Sequence, residues 1–144
     1  VTVPNMCPLT PYLETNPVIM YLSDNFQKPN PFLPDVVLDI DDVIEKKVEM
    51  LHCHTSQMYE WLPYNSGVLD EVPAEEGDRK IWMANRRLKA FAETAERFRG
   101  KLVELYGKER GERVNYAEAF EVCEYGSSLT DEHMATLFPF LGAA

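Results

Sequence analysis

The sequence predicts an α/β fold in which two short strands, two long helices and a short terminal helix follow one another along the chain. Apolar runs at residues 18–22 (VIMYL) and 36–40 (VVLDI) have the length and β-branched composition of strands, and the first run is typical of a buried strand. Apolar side chains then recur at helical spacing over residues 41–62 and again over residues 78–106. Because two short strands alone make a poor sheet, we expect the remaining strands to come from elsewhere.

The opening of the chain predicts loop rather than the start of a domain. It begins with Val1, and residues 1–17 (VTVPNMCPLTPYLETNP) hold four prolines and no periodic apolar pattern. Proline fixes φ and removes a backbone donor, so this stretch is expected to be extended. A second proline-rich linker, residues 27–34, leads into the second strand. We therefore expect the opening to be a connection that leaves an element encoded upstream.

The first helix is predicted to begin at Asp41 or Asp42, because Asp42 and Glu45 have the spacing of a capping box. Pro63 is predicted to end it, and the acidic loop over residues 64–77 is long enough to suggest a function. One stripe of the helix is mainly apolar: Ile44, Val48, Leu51, Thr55, Met58 and Leu62. A second and more varied stripe lies about 90° round the helix: Lys47, Met50, His54, Gln57 and Trp61.

The second helix, over residues 78–106 with a predicted kink at Gly100, is basic in an acidic chain. Residues 78–101 include eight Lys or Arg against three Asp or Glu. Two interpretations remain open, namely a solvated face that pairs with acidic loops of the same chain and a face that docks on an acidic partner. A turn-rich connector and a short irregular or extended stretch at residues 116–126 come next. Thr130 is predicted to cap a last short helix.

Composition excludes several classes of protein. The 24 acidic and 14 basic residues give a net charge of −10, which repels nucleic acid and anionic membrane surfaces. No apolar run approaches the ~18 residues of a membrane span, so a soluble cytoplasmic protein is expected. The three cysteines are odd in number and lack CxxC spacing, which predicts reduced thiols; they are Cys7, Cys53 and Cys123.

The sequence offers neither a catalytic group nor a set of metal ligands. Its histidines are His52, His54 and His133. On a helix the side chains of His52, Cys53 and His54 diverge by about 100° each and cannot bind one metal together. A zinc site on His54 and Cys123 would lack two ligands, and a His52–Ser56 pair would lack an oxyanion hole and an orienting acid. His54, Gln57 and Tyr59 suit hydrogen bonding to nearby backbone or at the rim of a site.

Two segments resemble LmbE/PIG-L-like N-deacetylases. Residues 34–57 (PDVVLDIDDVIEKKVEMLHCHTSQ) are similar to a C-terminal signature of that family, a strand followed by a helix of the form K-x-x-x-L-x-x-H-x-S-Q. Residues 116–122 (YAEAFEV), which contain Glu118, are similar to the Ala-Glu-Ala-Phe segment that closes family members. The helix motif falls on Lys47, Leu51, His54, Ser56 and Gln57.

The resemblance implies a Rossmann-like α/β fold of which residues 1–144 are the C-terminal part. It also implies a single zinc ion and hydrolysis of an acetamide on an N-acetylglucosaminyl-type substrate. In that family zinc polarises the amide carbonyl and lowers the pKa of its bound water, and an aspartate acts as general base. The family's Ala-His-Pro-Asp-Asp-Glu loop and its later histidine motif do not occur here.

We therefore expect the zinc motifs upstream of Val1, and this chain alone to bind no zinc and to be inactive. The resemblance carries over only to His54, Ser56, Gln57 and Glu118, as substrate-rim or structural positions. The implied partners are an N-acetylated sugar-type molecule and either the missing N-terminal half or a second copy. The alternative is a non-catalytic interaction module that keeps the family scaffold and binds a partner through the basic helix or the acidic loop.

Overall fold

The fold is mixed α/β, with six α-helices and one three-stranded antiparallel sheet in the part of the chain described by a computed structural model, residues 8–25 and 27–141. The strands are β1 (Met20–Leu22), β2 (Val36–Asp39) and β3 (Ala117–Val122). Their order in the sheet is β1-β3-β2, and both pairings are antiparallel. The two predicted strands are confirmed with shorter bounds, but they do not pair with each other. The predicted burial of the first is wrong, because β1 lies at the sheet edge with Tyr21 and Leu22 exposed.

The central strand is the one that the sequence did not predict. Residues 117–122 were expected only as an irregular or extended stretch, because alanine and glutamate are poor strand formers. In the structure Ala117 and Ala119 are buried, while Glu118 between them is only partly buried. The small inward side chains let β3 lie close to the helices. The predicted number of strands, two, is therefore too low, and the chain itself supplies the third strand.

The predicted first helix is divided into several pieces. A 3-10 turn at Asp41–Val43 leads into α1 (Ile44–His52), and a π-helical turn at Gln57–Trp61 leads into α2 (Leu62–Asn65). Between α1 and the π-helical turn, the amide of His54 donates to the Leu51 carbonyl at 3.0 Å. This bond spans three residues, whereas an α-helical bond spans four.

The proline that was predicted to end this helix lies instead in the first turn of α2. Pro63 is buried at this position, where the missing N–H of proline costs no hydrogen bond. The helical path therefore continues to Asn65, and the prediction of its end is wrong.

Asp41, rather than Asp42, organises the start of this region. No side chain caps the 3-10 turn or α1, so the predicted capping box is wrong. The Asp41 carboxylate instead accepts hydrogen bonds from the backbone amides of Asn115 and Tyr116, at 2.9 and 2.7 Å, and from the Asn115 side chain at 2.9 Å. It thereby ties the turn after β2 to the start of β3, across 75 residues of sequence.

We predict that Asp41→Ala lowers the free energy of unfolding by about 2 kcal/mol, because two backbone amides lose a charged acceptor. Asp42→Ala is the matched control, since the Asp42 side chain is exposed and should change stability by less than ~0.5 kcal/mol. Urea denaturation of both variants checks this. Equal effects at the two positions would show that the Asp41 hydrogen bonds contribute nothing.

The predicted second helix is also divided, but not at the predicted glycine. It comprises α3 (Glu76–Arg97) and α4 (Arg99–Tyr106), and the break falls at Phe98, with φ −111° and ψ 25°. Gly100 lies inside α4. The Phe98 ring packs against Phe32, with ring centroids 5.9 Å apart, so burial of this side chain accompanies the change of direction.

Two short helices complete the fold. Gly107, with φ +78°, ends α4 in a backbone conformation that favours glycine, and α5 (Lys108–Gly111) follows at once. The helix α6 (Asp131–Leu137) begins as predicted, because Thr130 Oγ1 accepts a hydrogen bond from the His133 amide at 3.2 Å. The prediction of Thr130 as its cap is confirmed.

The core lies between one face of the sheet and helices α3 and α4. The amide of Asp39 donates to the hydroxyl of Tyr106 at 3.0 Å, which fastens the end of β2 to α4. Within the described residues, no helix has the length and apolar character needed to cross a membrane. The clustered core residues are Phe32, Val37, Ala95, Leu102, Tyr106, Val114, Ala117 and Ala119.

Candidate functional site

The two segments that carry the family resemblance meet in the structure through an ion pair. Lys47 on α1 places its Nζ 2.5 Å from Oε1 of Glu118 on β3, and each side chain is one-quarter exposed. The same Nζ lies 5.1 Å from the ring centroid of Phe91 on α3. Glu118 is thus engaged in holding α1 against the sheet. Of the two roles expected for Glu118, at the substrate rim or in the structure, this arrangement favours the structural role.

The other three predicted site residues, His54, Ser56 and Gln57, lie close together in sequence on a surface turn. His54, Ser56 and Gln57 are all exposed, between the end of α1 and the π-helical turn. The His54 carbonyl accepts from the amide of Met58 at 2.9 Å, but within the described residues none of the three side chains makes a hydrogen bond. The structure therefore groups these three residues with one another but not with Glu118, and leaves them free to contact another molecule or chain segment.

Tyr59, near this turn, is predicted to form hydrogen bonds; it is buried, and its partner is a side chain rather than the backbone. The Tyr59 hydroxyl is hydrogen-bonded to His52 Nδ1 at 2.6 Å, and His52 Nε2 lies 3.6 Å from a carboxylate oxygen of Glu76. The guanidinium of Arg79 lies 4.7 Å from the Tyr59 ring centroid. Burial raises the pKa of Tyr59, and the positive charges of Arg79 and Lys80 partly oppose this rise.

This cluster links the end of α1, the π-helical turn and the first turns of α3. Because Tyr59 is only 2% exposed, its hydroxyl is closed to a substrate, and we assign the cluster a positioning role. The seven-residue separation of His52 and Tyr59, two helical turns, is the signal that could have suggested their contact.

Most of the basic side chains on α3 and α4 have acidic partners in the same chain. Five of the eight form ion pairs, including Arg86 with Glu71 in the acidic loop. This favours the interpretation of a solvated, internally paired face over a face that docks on an acidic partner. Arg87 has no ion pair or hydrogen bond within the described residues.

A cavity of about 620 Å³ lies beside Glu118, between α3 and the segment that follows β1. Its walls include Arg87, Phe91 and Arg97 from α3 and Asp24 from that segment. A space of this size suits a small-molecule ligand. Both signs of charge line it, so its walls do not select for a charged ligand of one sign.

The thiols and histidines do not converge in the structure. Cys53 is exposed and Cys123 is buried, both as free thiols, and Cys7 lies outside the described residues. Across residues 8–25 and 27–141, no three His, Cys, Asp or Glu side chains come together as a set of metal ligands. A protein zinc site needs three or four such ligands, so the described residues do not fit one.

Comparison of the chain with protein-family models, with curated proteins and with solved structures found no match. The resemblance to LmbE/PIG-L-like deacetylases therefore rests on the two motif segments and on their order and spacing along the chain. The Lys47–Glu118 contact adds a spatial relation between those segments that sequence order alone does not contain.

Proposed function

We propose that this chain is the C-terminal part of one Rossmann-like LmbE/PIG-L-type domain. In this proposal the longer protein acts in the cytoplasm and removes N-acetyl groups from N-acetylglucosaminyl-type substrates, using a single zinc ion. The observation that carries the proposal is the ion pair between Lys47 and Glu118. The two segments contain the paired strands β2 and β3, and Lys47 and Glu118, 71 residues apart, meet in the fold as two parts of one family scaffold would.

The proposal assigns positioning and contact roles to the residues of this chain. Lys47 and Glu118 hold α1 against the sheet, and Phe91 supports Lys47. The exposed turn with His54, Ser56 and Gln57 forms the rim of a site that another part of the longer protein completes. The proposal places the zinc ligands and the general base in residues outside this chain, because the family's histidine motifs do not occur in its sequence.

The alternative function is that of a non-catalytic interaction module, which would bind a partner through the basic helix or the acidic loop. The edges of the sheet bear instead on how this chain would join the rest of the longer protein or a second copy. Strands β1 and β2 each pair only with β3, so each has an unpaired edge within residues 8–25 and 27–141. On β1 the side chains of Tyr21 and Leu22 are 45% and 64% exposed. An exposed edge with apolar side chains can recruit another strand, supplied by the missing N-terminal half or by a second copy of the chain.

Zinc content and activity test the proposal. We predict that the 144-residue chain, after dialysis, holds no stoichiometric zinc by elemental analysis. A longer protein from the same reading frame, extended upstream through an Ala-His-Pro-Asp-Asp segment, should hold one zinc per chain and release acetate from an N-acetylglucosaminyl compound.

Two results would contradict this prediction. One is a tightly held zinc on the 144-residue chain that is lost when His54 or Cys123 is replaced. The other is a reading frame without the upstream motif, which would favour the interaction module.

A further inference from the structure

Arg87 on α3 is a charged side chain that the fold partly buries without neutralising. It has neither an ion pair nor a hydrogen bond within the described residues. Burial, and then the neighbouring positive charge of Arg86, lower the pKa of its guanidinium. An unpaired charge that is partly removed from water is unfavourable. Side chains that oppose stability in this way are expected at functional positions.

Arg87 also lines a second cavity, of about 400 Å³, between α3 and the segment from Met58 to Ser66. Arg86 and Lys89 line the same cavity, so three basic side chains face it. Its apolar wall includes Leu62, Met83 and the Trp82 ring. Cationic and apolar side chains thus lie next to each other in its lining, and the Arg86 guanidinium lies 5.0 Å from the Trp82 ring centroid.

Two of the three basic side chains have an acidic neighbour, and Arg87 is the one without an acidic partner in the described residues. Arg86 lies 3.8 Å from Glu71 and Lys89 lies 3.9 Å from Glu93, and the side chains of both pairs are largely exposed. Exposed pairs at such distances contribute little binding energy. Arg87 also borders the 620 Å³ cavity, but three carboxylates line that space, those of Asp24, Glu93 and Glu118. Only Glu93 is acidic in the wall of the 400 Å³ cavity, which is therefore the better site for an anion.

We propose that the 400 Å³ cavity binds a small organic oxyanion, that is, a phosphate or carboxylate attached to an apolar or aromatic group. The guanidinium of Arg87 would bind the oxyanion with two parallel hydrogen bonds, a geometry that lysine cannot reproduce. The apolar group would lie against Leu62, Met83 and Trp82. This inference does not depend on the proposed deacetylase activity, because none of these residues belongs to the motifs that support it.

Titration of the 144-residue chain with phenyl phosphate, benzoate and inorganic phosphate tests the inference. Calorimetry at constant ionic strength removes general screening effects. We expect saturable binding of phenyl phosphate or of benzoate, and weaker binding of inorganic phosphate, which lacks the apolar group. The stronger of the two aromatic ligands identifies the head group. Absence of saturable binding by both aromatic ligands would overturn the inference.

Charge-matched variants assign the binding to this cavity. Arg87→Met should weaken binding by about tenfold or more, because a charged hydrogen-bonding pair is lost. It should leave stability unchanged or raised, since the arginine has no partner to lose. Arg113→Gln removes the same charge from an exposed side chain paired with Glu109 and should not change binding.

Equal weakening by Arg87→Met and Arg113→Gln would overturn the inference, because it would indicate a general response to net charge. If Arg87→Met does not fold, Arg86→Gln takes its place. That side chain is 46% exposed and also lines the cavity. Unchanged binding in a folded Arg86→Gln variant would likewise overturn the inference.

Discussion

Replacing Gly111 by alanine is expected to lower the free energy of unfolding by about 3 kcal/mol or more. Gly111 ends α5, which packs directly on the backbone of α4. An added Cβ would lie 2.6 Å from the Cα and the amide nitrogen of Val103 and 2.7 Å from the carbonyl carbon of Leu102. These atoms belong to the main chain and cannot rotate away, so α4 or α5 must shift. Because Leu102 is fully buried, such a shift disturbs the core.

Gly100→Ala is the matched control for this substitution. Gly100 lies in α4, and nothing stands within 4 Å of the Cβ that an alanine would add. Alanine restricts the unfolded chain and favours helix, so the variant should gain up to ~1 kcal/mol of stability. Urea denaturation of the two variants should therefore give changes of opposite sign. A Gly111→Ala variant as stable as the parent would show that α5 does not pack closely on α4.

Local chemistry explains what could be predicted of the fold. The apolar runs that became β1 and β2 are strong strand signals, and the Thr130 cap acts within three residues. In contrast, β3 combines alanine and glutamate, and its place at the centre of the sheet depends on contacts with distant residues. The π-helical turn, in which Tyr59 is buried, has no comparable local pattern.

The candidate sites depend on long-range contacts even more than the fold does. Motif order suggested that Lys47 and Glu118 matter, but their ion pair joins residues 71 apart in sequence. Similarly, charge counting identified a basic helix and could not distinguish its paired side chains from Arg87. That distinction requires the positions of acidic residues contributed by other elements, such as Glu71 in the acidic loop.

The prediction with the largest expected effect on function concerns the exposed turn with His54, Ser56 and Gln57. In the 144-residue chain, His54→Ala and Gln57→Ala should change the free energy of unfolding by less than ~0.5 kcal/mol, since both side chains are exposed and unbonded within the described residues. In the longer deacetylase that we propose, the same changes should lower kcat/KM by about 10- to 100-fold, because each removes a hydrogen bond at the rim of the completed site.

Thr55→Ala is the control for these two substitutions. It shows whether activity depends on the side chains of His54 and Gln57 or falls with any substitution in this turn. Thr55 is exposed and lies between His54 and Ser56, but it is not a motif position. Its replacement should leave kcat/KM unchanged, and zinc content should remain at one per chain in all three variants. Equal losses of activity in the three variants would indicate that the turn acts only through its backbone. Zinc lost in step with activity in a folded His54→Ala variant would instead place His54 in the metal site, as a ligand or as the hydrogen-bonding partner of a ligand.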